Sequence, residues 1–165
     1  MIRRLILTAA LVTLSACGQG RSEPAGTSPA PAAPAPAAAP APTEAQMQAA
    51  VAALPAPWNA ADLENGRRAF ARCRSCHTVT EGGPNMTGPN LYGVFGRQAG
   101  SLPGFNYSNA VKTAGFSWDA ERIDHWLENP RTFLPGNKMS FPGLPDADDR
   151  RDLVAWLQVN TTPAA

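Results

Sequence analysis

The stretch Cys73-Arg74-Ser75-Cys76-His77 decides the fold of this chain of 165 residues. C-x-x-C-H is the pattern by which c-type haem is attached to a protein. The spacing has a physical reason, because two thiols must reach two vinyl groups on one edge of the porphyrin and form thioethers. The adjacent histidine then lies beneath the iron as an axial ligand. The sequence therefore predicts one covalently attached haem c, held by Cys73 and Cys76, with His77 bound to the iron.

Other uses of a C-x-x-C pair fit this sequence less well. A structural zinc site needs four protein ligands, and the only further histidine and cysteine are His125 and Cys17. A thioredoxin-like redox pair expects a βαβ context, which is absent. A structural disulfide across two residues would leave the long Gly-, Pro- and Asn-rich stretch between residues 81 and 115 unexplained. Irregular chain of this length in a small domain indicates that a large cofactor organises it.

Three helices are predicted around the irregular stretch. The first begins near Asn59, which can cap it; the second begins after Ser117 and ends before Pro130; the third begins near Asp146. Apolar residues at helical spacing support each of them. They are Leu63 and Phe70, with Gly66, in the first helix, Ile123, Trp126 and Leu127 in the second, and Leu153, Val154, Trp156 and Leu157 in the third.

A second iron ligand is predicted in the segment Pro135-Gly136-Asn137-Lys138-Met139-Ser140-Phe141. A methionine in such a loop is poorly explained as helix-core filler, although methionine often simply fills a gap. A haem with one ligand needs a second, and a thioether sulfur is a known partner that raises the reduction potential. Met1 leaves with a signal peptide, Met47 lies before the domain and Met86 lies near the motif, so Met139 is the best candidate.

The first residues predict export from the cytoplasm. Arg3 and Arg4 precede an apolar run, residues 5–14, that is too short to span a bilayer and fits a signal peptide. The sequence Leu14-Ser15-Ala16-Cys17 resembles the signal of bacterial lipoproteins. The resemblance predicts that residues 1–16 are removed and that Cys17 is lipidated, which anchors the chain on the periplasmic side of a bacterial membrane. The alternative is an ordinary secretory signal with Cys17 incidental.

Residues 17–57 are predicted to be a disordered tether. Ala and Pro dominate this segment, which has few large apolar side chains and cannot bury a core. Alternating Ala-Pro favours an extended spacer, and a short helix from Thr43 to Leu54 is predicted from a capping box of Thr43 and Gln46. The folded domain is predicted over residues 58–165. The formal net charge of +1 lacks the basic excess of nucleic-acid-binding proteins.

From about Ala61 to Leu157 the chain resembles class I cytochrome c, close to the mitochondrial and bacterial c2 type. The resemblance implies an all-α fold, in which helices and long irregular loops wrap one haem. It rests on the C-x-x-C-H motif and on three further segments in the same order. These are Thr87-Gly88-Pro89-Asn90-Leu91-Tyr92-Gly93-Val94-Phe95-Gly96-Arg97, Trp126-Leu127-Glu128-Asn129-Pro130 and Pro135-Gly136-Asn137-Lys138-Met139-Ser140-Phe141.

The resemblance also assigns roles to single residues. Pro89 supplies a carbonyl that accepts the second ring N–H of His77, which fixes the tautomer of the ligand. Tyr107 and Trp118 match positions that hydrogen-bond a buried haem propionate, and Arg97 is placed to offset its charge. Gly66 and Phe70 match the face of the first helix that crosses the last helix. Three positions depart from the family pattern, namely Trp126 (usually tyrosine), Asn137 (usually threonine) and Val111 (often asparagine).

The predicted function is single-electron transfer by a monomeric, membrane-tethered monohaem cytochrome, and not catalysis. By resemblance, the partners are a cytochrome bc1-type donor and a terminal oxidase or photosynthetic reaction centre as acceptor. One alternative is a haem peroxidase or gas-binding protein in which Met139 dissociates; another is a fixed electron-entry subunit of an oxidase or dehydrogenase. The lysines used for docking in the family are few, and a basic rim is expected from Arg67, Arg68, Arg72, Arg74 and Arg131. The acidic run Asp146, Asp148 and Asp149 is expected to cap a helix.

Overall fold

The structure, a computed structural model, describes residues 42–162. The predicted signal peptide, Cys17 and the first part of the predicted tether lie outside the described residues. Six α-helices follow one another along the described chain, and Trp58–Ala60 forms a 3-10 turn. The helices are α1 (Glu44–Ala52), α2 (Leu63–Phe70), α3 (Asn109–Lys112), α4 (Ala120–Glu128), α5 (Pro130–Phe133) and α6 (Ala147–Thr161).

The predicted all-α fold is confirmed. Within residues 42–162 there is no β-strand, and the only pairing of that kind is an isolated bridge between Gln98 and Ser117. The three predicted helices correspond to α2, α4 and α6. No helix in this part of the chain is long and apolar enough to cross a membrane.

Acidic side chains begin the three main helices. The Asp62 carboxylate accepts the backbone N–H groups of Glu64 and Asn65 at the start of α2. The expected cap Asn59 was therefore wrong, because the 3-10 turn occupies that position. Asp119 caps α4 and Asp146 caps α6 in the same way. Each carboxylate satisfies an otherwise unpaired N–H and lies at the positive end of the helix dipole.

Helices α2 and α6 cross at Gly66. A Cβ atom at Gly66 would lie 2.7 Å from Cβ of Trp156, and closer still to the backbone carbonyl of Asp152. Only glycine therefore allows this approach, as the sequence predicted. One turn further on, Phe70 stacks on Trp156 with ring centroids 4.6 Å apart. The crossing fixes the end of α2, from which the C-x-x-C-H motif follows directly.

Helix α1 belongs to the folded unit. The capping box of Thr43 and Gln46 is present, as predicted. Val51 is only 3% exposed, and Leu54 packs on the main core cluster. Val51 lies in α1 and Leu54 follows just after its end, and α1 packs against α6 and the 3-10 turn. The expectation of a disordered tether up to residue 57 is therefore wrong for residues 44–54, and packed structure begins before the predicted boundary at Trp58.

Candidate haem site

One cavity of about 680 Å³ gathers the predicted site residues. It is bounded by α2, α4, α6 and the loops between them. Much of its wall is apolar and continuous with the core, since Phe70, Ile123, Leu127, Leu153 and Leu157 belong to both. All eight predicted haem-site residues of the domain line it. They are Cys73, Cys76, His77, Pro89, Arg97, Tyr107, Trp118 and Met139. Cys17 lies outside the described residues.

The motif residues reach the cavity because the chain turns tightly after α2. The N–H of Cys73 donates to the carbonyl of Phe70 at 2.8 Å. The N–H groups of Cys76 and His77 both donate to the carbonyl of Cys73 at 3.0 Å. This turn brings two thiols and an imidazole to the same wall, and the thiols of Cys73 and Cys76 are free. Burial raises the pKa of the Cys73 thiol to about 11.

The His77 imidazole is held with one nitrogen available for a metal. Its Nδ1 lies 2.7 Å from the carbonyl oxygen of Pro89. A carbonyl can only accept, so Nδ1 carries the proton and Nε2 is left with a lone pair. Burial lowers the pKa of His77, against the opposing effect of the Pro89 carbonyl, and this favours the neutral form that binds metals. A Cβ at Gly88 would lie 2.6 Å from Nε2, so only glycine leaves room for this ring position.

Asn90 organises the loop that presents Pro89. Its amide donates to the carbonyls of Thr80 and Gly83 at 2.9 and 2.8 Å, and its Oδ1 accepts the N–H of Tyr92 at 2.7 Å. The side chain is buried, at 7% exposure. Sequence reasoning did not assign a role to Asn90, although it lies inside a quoted motif. The role of Asn90 is indicated by its position next to Pro89, the predicted partner of His77, together with the burial of its amide.

Arg97 also holds the loop that presents Pro89. Its guanidinium donates to the carbonyls of Tyr92 and Asn90 at 3.1 and 3.0 Å. Burial lowers the pKa of Arg97, and the Arg97 charge opposes the rise that burial causes in the pKa of Tyr107. Arg97 and Tyr107 thus line the same cavity, and Arg97 also fixes the Pro89 loop. The assignment of Tyr107, Trp118 and Arg97 to a haem propionate stays a prediction.

Met139 reaches the cavity from an irregular loop between α5 and α6. Its N–H donates to Oδ1 of Asn137 at 2.9 Å. The neighbouring Lys138 donates from Nζ to the carbonyl of Asn106 at 3.0 Å, which joins this loop to a loop 32 residues earlier. Trp126, one of the departures from the family pattern, also lines the cavity and meets Trp118 edge to face at 5.5 Å.

The donors in this cavity fit a haem c. Two thiols can hold the vinyl groups, an imidazole nitrogen and a thioether sulfur are suited to ligate one iron, and apolar walls suit a porphyrin. A zinc site fits less well, because no group of three or more His, Cys, Asp or Glu side chains in the described chain is arranged to hold a metal ion. The assignment of His77 and Met139 as the two ligands remains a prediction from these residues.

Comparison with known proteins identifies the same stretch of chain. A family model described as "Cytochrome c" matches residues 63–160. The "Cytochrome c" of Stellaria longipes is 46% identical over 101 residues, which cover 61% of this chain and 94% of the relative. The "Cytochrome c" of Gibberella zeae is 44% identical over 101 residues, 61% of this chain and 95% of the relative. That of Kluyveromyces lactis is 42% identical over 105 residues, 63% of this chain and 96% of the relative.

Proposed function

This chain belongs to the cytochrome c family, and we propose that it is a membrane-tethered electron carrier. Proteins of this family bind one covalently attached haem c and transfer electrons without being enzymes. In this proposal Cys17 is lipidated on the periplasmic side of a bacterial membrane. The domain takes single electrons from a bc1-type complex and delivers them to a terminal oxidase or reaction centre. The single observation that carries the chemistry is the gathering of Cys73, Cys76, His77 and Met139 around one cavity.

The residues of the cavity have distinct tasks in this function. The haem, when bound, supplies an iron that gains and loses one electron. Cys73 and Cys76 would hold the group covalently, so that it is not lost during exchange with partners. His77 and Met139 would both ligate the iron and leave no open position for a substrate. The Pro89 carbonyl keeps His77 in one tautomer and one orientation, which keeps the ligand set the same in both oxidation states.

The charges around the cavity favour an acidic partner. Apart from His77, the charged residues that line it are Arg72, Arg97 and Lys138, and none is acidic. Arg72, Arg74 and Arg131 are exposed and form no ion pair within residues 42–162, so they remain available at a docking surface. Such a surface forms small, weak and quickly dissociating complexes that are steered by charge.

Two members of the expected basic rim share one carboxylate, which offsets one of their two charges. Arg67 pairs with Glu64 at 2.6 Å and Arg68 lies 3.6 Å from the same carboxylate. The acidic run at the start of α6 is used internally. Asp146 caps the helix, Asp148 pairs with Arg151 at 2.6 Å and Asp149 accepts from the Asn65 amide at 2.9 Å. Because these acidic side chains are paired locally, the charge of the docking surface is set mainly by Arg72, Arg74 and Arg131.

A small anionic oxidant tests the docking charge without a known partner. The reduced wild-type protein and an Arg72→Glu variant are mixed with hexacyanoferrate(III), and the second-order rate is measured against ionic strength. We expect the variant to react more slowly at low salt and the difference to shrink as salt screens it. Lys112→Glu is the matched control, because Lys112 does not line the cavity. An equal effect of both substitutions would contradict a cationic docking surface at the site.

The optical spectrum with carbon monoxide tests the electron-carrier proposal. A reduced protein that keeps a sharp c-type spectrum after addition of carbon monoxide retains Met139 on the iron and is an electron carrier. A rapid spectral shift at neutral pH would overturn the proposal in favour of a peroxidase or a gas-binding protein.

Removal of the tether tests membrane attachment separately. Deletion of residues 17–41, which removes the anchoring Cys17 together with the tether, should slow electron transfer between membrane complexes at low protein concentration, because attachment raises the effective concentration at the membrane. The optical spectrum of the deletion variant should be unchanged. Unchanged turnover, or a mature protein that carries no lipid on Cys17, would contradict the membrane-anchored form while leaving the electron-carrier function intact.

A further inference from the structure

The loop that carries Met139 has little backbone support of its own. Residues 137–146 have no regular secondary structure. No backbone-to-backbone hydrogen bond joins residues 138–143 to another part of the described chain. Backbone bonds appear only where the loop begins and ends, from Asn137 N–H to the Leu134 carbonyl at 3.2 Å and from Leu144 N–H to the Leu127 carbonyl at 2.8 Å. The position of Met139 must therefore be maintained largely by side chains.

Asn137 provides the side-chain support nearest to Met139. Its amide nitrogen donates to the carbonyls of Pro130 and Leu134 at 2.8 and 2.9 Å. Its Oδ1 accepts the N–H of Met139 at 2.9 Å. One amide thus uses both of its N–H groups and its oxygen to join the Met139 backbone to the two ends of α5. A threonine hydroxyl has a single hydrogen to donate and cannot make this set of bonds.

Arg150 supports the other end of the loop from α6. Its Nη1 donates to the carbonyls of Leu144 and Pro145, both at 2.9 Å, and its Nε donates to the Asp124 carboxylate at 3.0 Å. The side chain is only 7% exposed. The guanidinium therefore joins the end of the loop to α4 and α6 in a setting where solvent screens the bonds little. Arg150 does not line the cavity and acts on it only through the loop.

We propose that Asn137 and Arg150 form a clamp that controls how readily Met139 leaves the iron. The inference rests on the proposed electron-carrier function, in which Met139 is an axial ligand. An external ligand can take that position only if the loop moves. Any hydrogen bond that is present in the Met139-bound state and lost in the displaced state opposes the displacement by its full free energy. Asn137 and Arg150 are positioning residues, because they touch the loop and not the iron.

Imidazole binding to the ferric holoprotein measures the clamp directly. Imidazole competes with the Met139 sulfur, and its binding removes the weak long-wavelength absorption that a methionine sulfur gives to ferric haem. We expect Asn137→Ala to raise the apparent imidazole affinity about tenfold, since it removes three hydrogen bonds next to the ligand. Asn137→Asp keeps an acceptor for the Met139 N–H but loses both donors, and the clamp predicts that it weakens the loop as well.

Asn160→Ala is the matched control. The Asn160 amide is also partly buried and donates to a backbone carbonyl, that of Trp156 at 2.8 Å, but Asn160 does not line the cavity. We expect its imidazole affinity to stay within about twofold of the wild-type value. Arg150→Lys keeps the charge beside Asp124 but cannot reproduce the three bonds, and it should raise the affinity several-fold. This variant tests the second arm of the clamp without leaving the partly buried Asp124 carboxylate unpaired.

The results separate the clamp from a merely structural role. Loss of folding stability in the Asn137 variants with wild-type imidazole affinity would overturn the proposal, as would equal affinity changes in Asn160→Ala. Wild-type affinity in Asn137→Asp alone would overturn the part assigned to the two donor bonds. Failure of the electron-carrier function has a different signature, because the wild-type protein itself would then bind carbon monoxide rapidly before any substitution is made.

Discussion

Removal of the haem should abolish the cooperative fold of this domain, because the cavity walls are also its core. Phe70, Ile123, Leu127, Leu153 and Leu157 belong to the main core cluster and line the cavity. Unfilled volume in a core costs about 24 cal/mol per Å³, so a cavity of about 680 Å³ corresponds to about 16 kcal/mol. Folded domains have free energies of unfolding of about 5–15 kcal/mol. Water that enters the cavity lowers this cost. Half of the ~16 kcal/mol, about 8 kcal/mol, would still remove most of the free energy of unfolding of an ordinary domain.

The cleanest comparison uses one amino-acid sequence in two forms. The wild-type chain is produced with haem attached and, in cells that lack the attachment machinery, without it. Near-ultraviolet circular dichroism reports fixed aromatic packing, and thermal unfolding reports cooperativity. We expect a sharp transition and a near-ultraviolet signal from the haem-loaded protein only.

A cooperative transition with the native aromatic signal in the haem-free chain would refute this reasoning. It would mean that α2, α4 and α6 form a sufficient core without the cofactor. A haem-free chain with a Cys73→Ala, Cys76→Ala double substitution should behave like the haem-free wild-type chain, since each substitution removes only a sulfur atom, although Cys73 packs at the edge of the core cluster. A difference between these two chains would indicate that the thiols stabilise the fold in their own right.

Further substitutions test individual contacts by urea unfolding of the haem-loaded protein. Gly66→Ala should lower the free energy of unfolding by about 2 kcal/mol despite the better helix propensity of alanine, because its Cβ meets the backbone of α6. Gly82→Ala should lower it by about 1 kcal/mol, because Gly82 has φ +65° although the space around it is open. Val51→Ala should cost about 2 kcal/mol if α1 is packed, and an unchanged midpoint would contradict that packing. Asn90→Ala should cost about 3 kcal/mol through three lost hydrogen bonds, and a loss below about 1 kcal/mol would exclude its role in the loop.

The helical frame was predictable because its signals are local. Periodic apolar residues and acidic caps mark α2, α4 and α6 in the sequence, and these helices lie where they were expected. The cap of α2 was not predicted correctly, because Asn59 and Asp62 are both good N-caps, and the 3-10 turn that contains Asn59 leaves this role to Asp62. The packing of α1 was missed for a related reason. The capping box of Thr43 and Gln46 predicts a helix but does not say which surface that helix covers.

The site was predictable only in part. The C-x-x-C-H motif names three residues within one turn, and Met139 was predicted from its Gly- and Pro-containing loop. The resemblance supplied Pro89, Arg97, Tyr107 and Trp118, and all of these residues line the cavity. The residues that position them were not found from the sequence. Asn90, Asn137 and Arg150 act on backbone carbonyls, and a carbonyl is offered by every residue type, so no sequence pattern marks the partner.

The two sides of the site are therefore held by different means, and this decides which ligand can exchange. The turn that carries His77 is fixed by backbone bonds to Phe70 and Cys73, and its ring is confined by Gly88 and Pro89. The loop that carries Met139 lacks such backbone bonds over residues 138–143. Movement of His77 requires the loss of backbone bonds in the turn after α2, whereas movement of Met139 requires the loss of a few side-chain bonds. With His77 and Met139 as the proposed iron ligands, we therefore expect ligand exchange at this site to replace Met139 and to leave His77 in place.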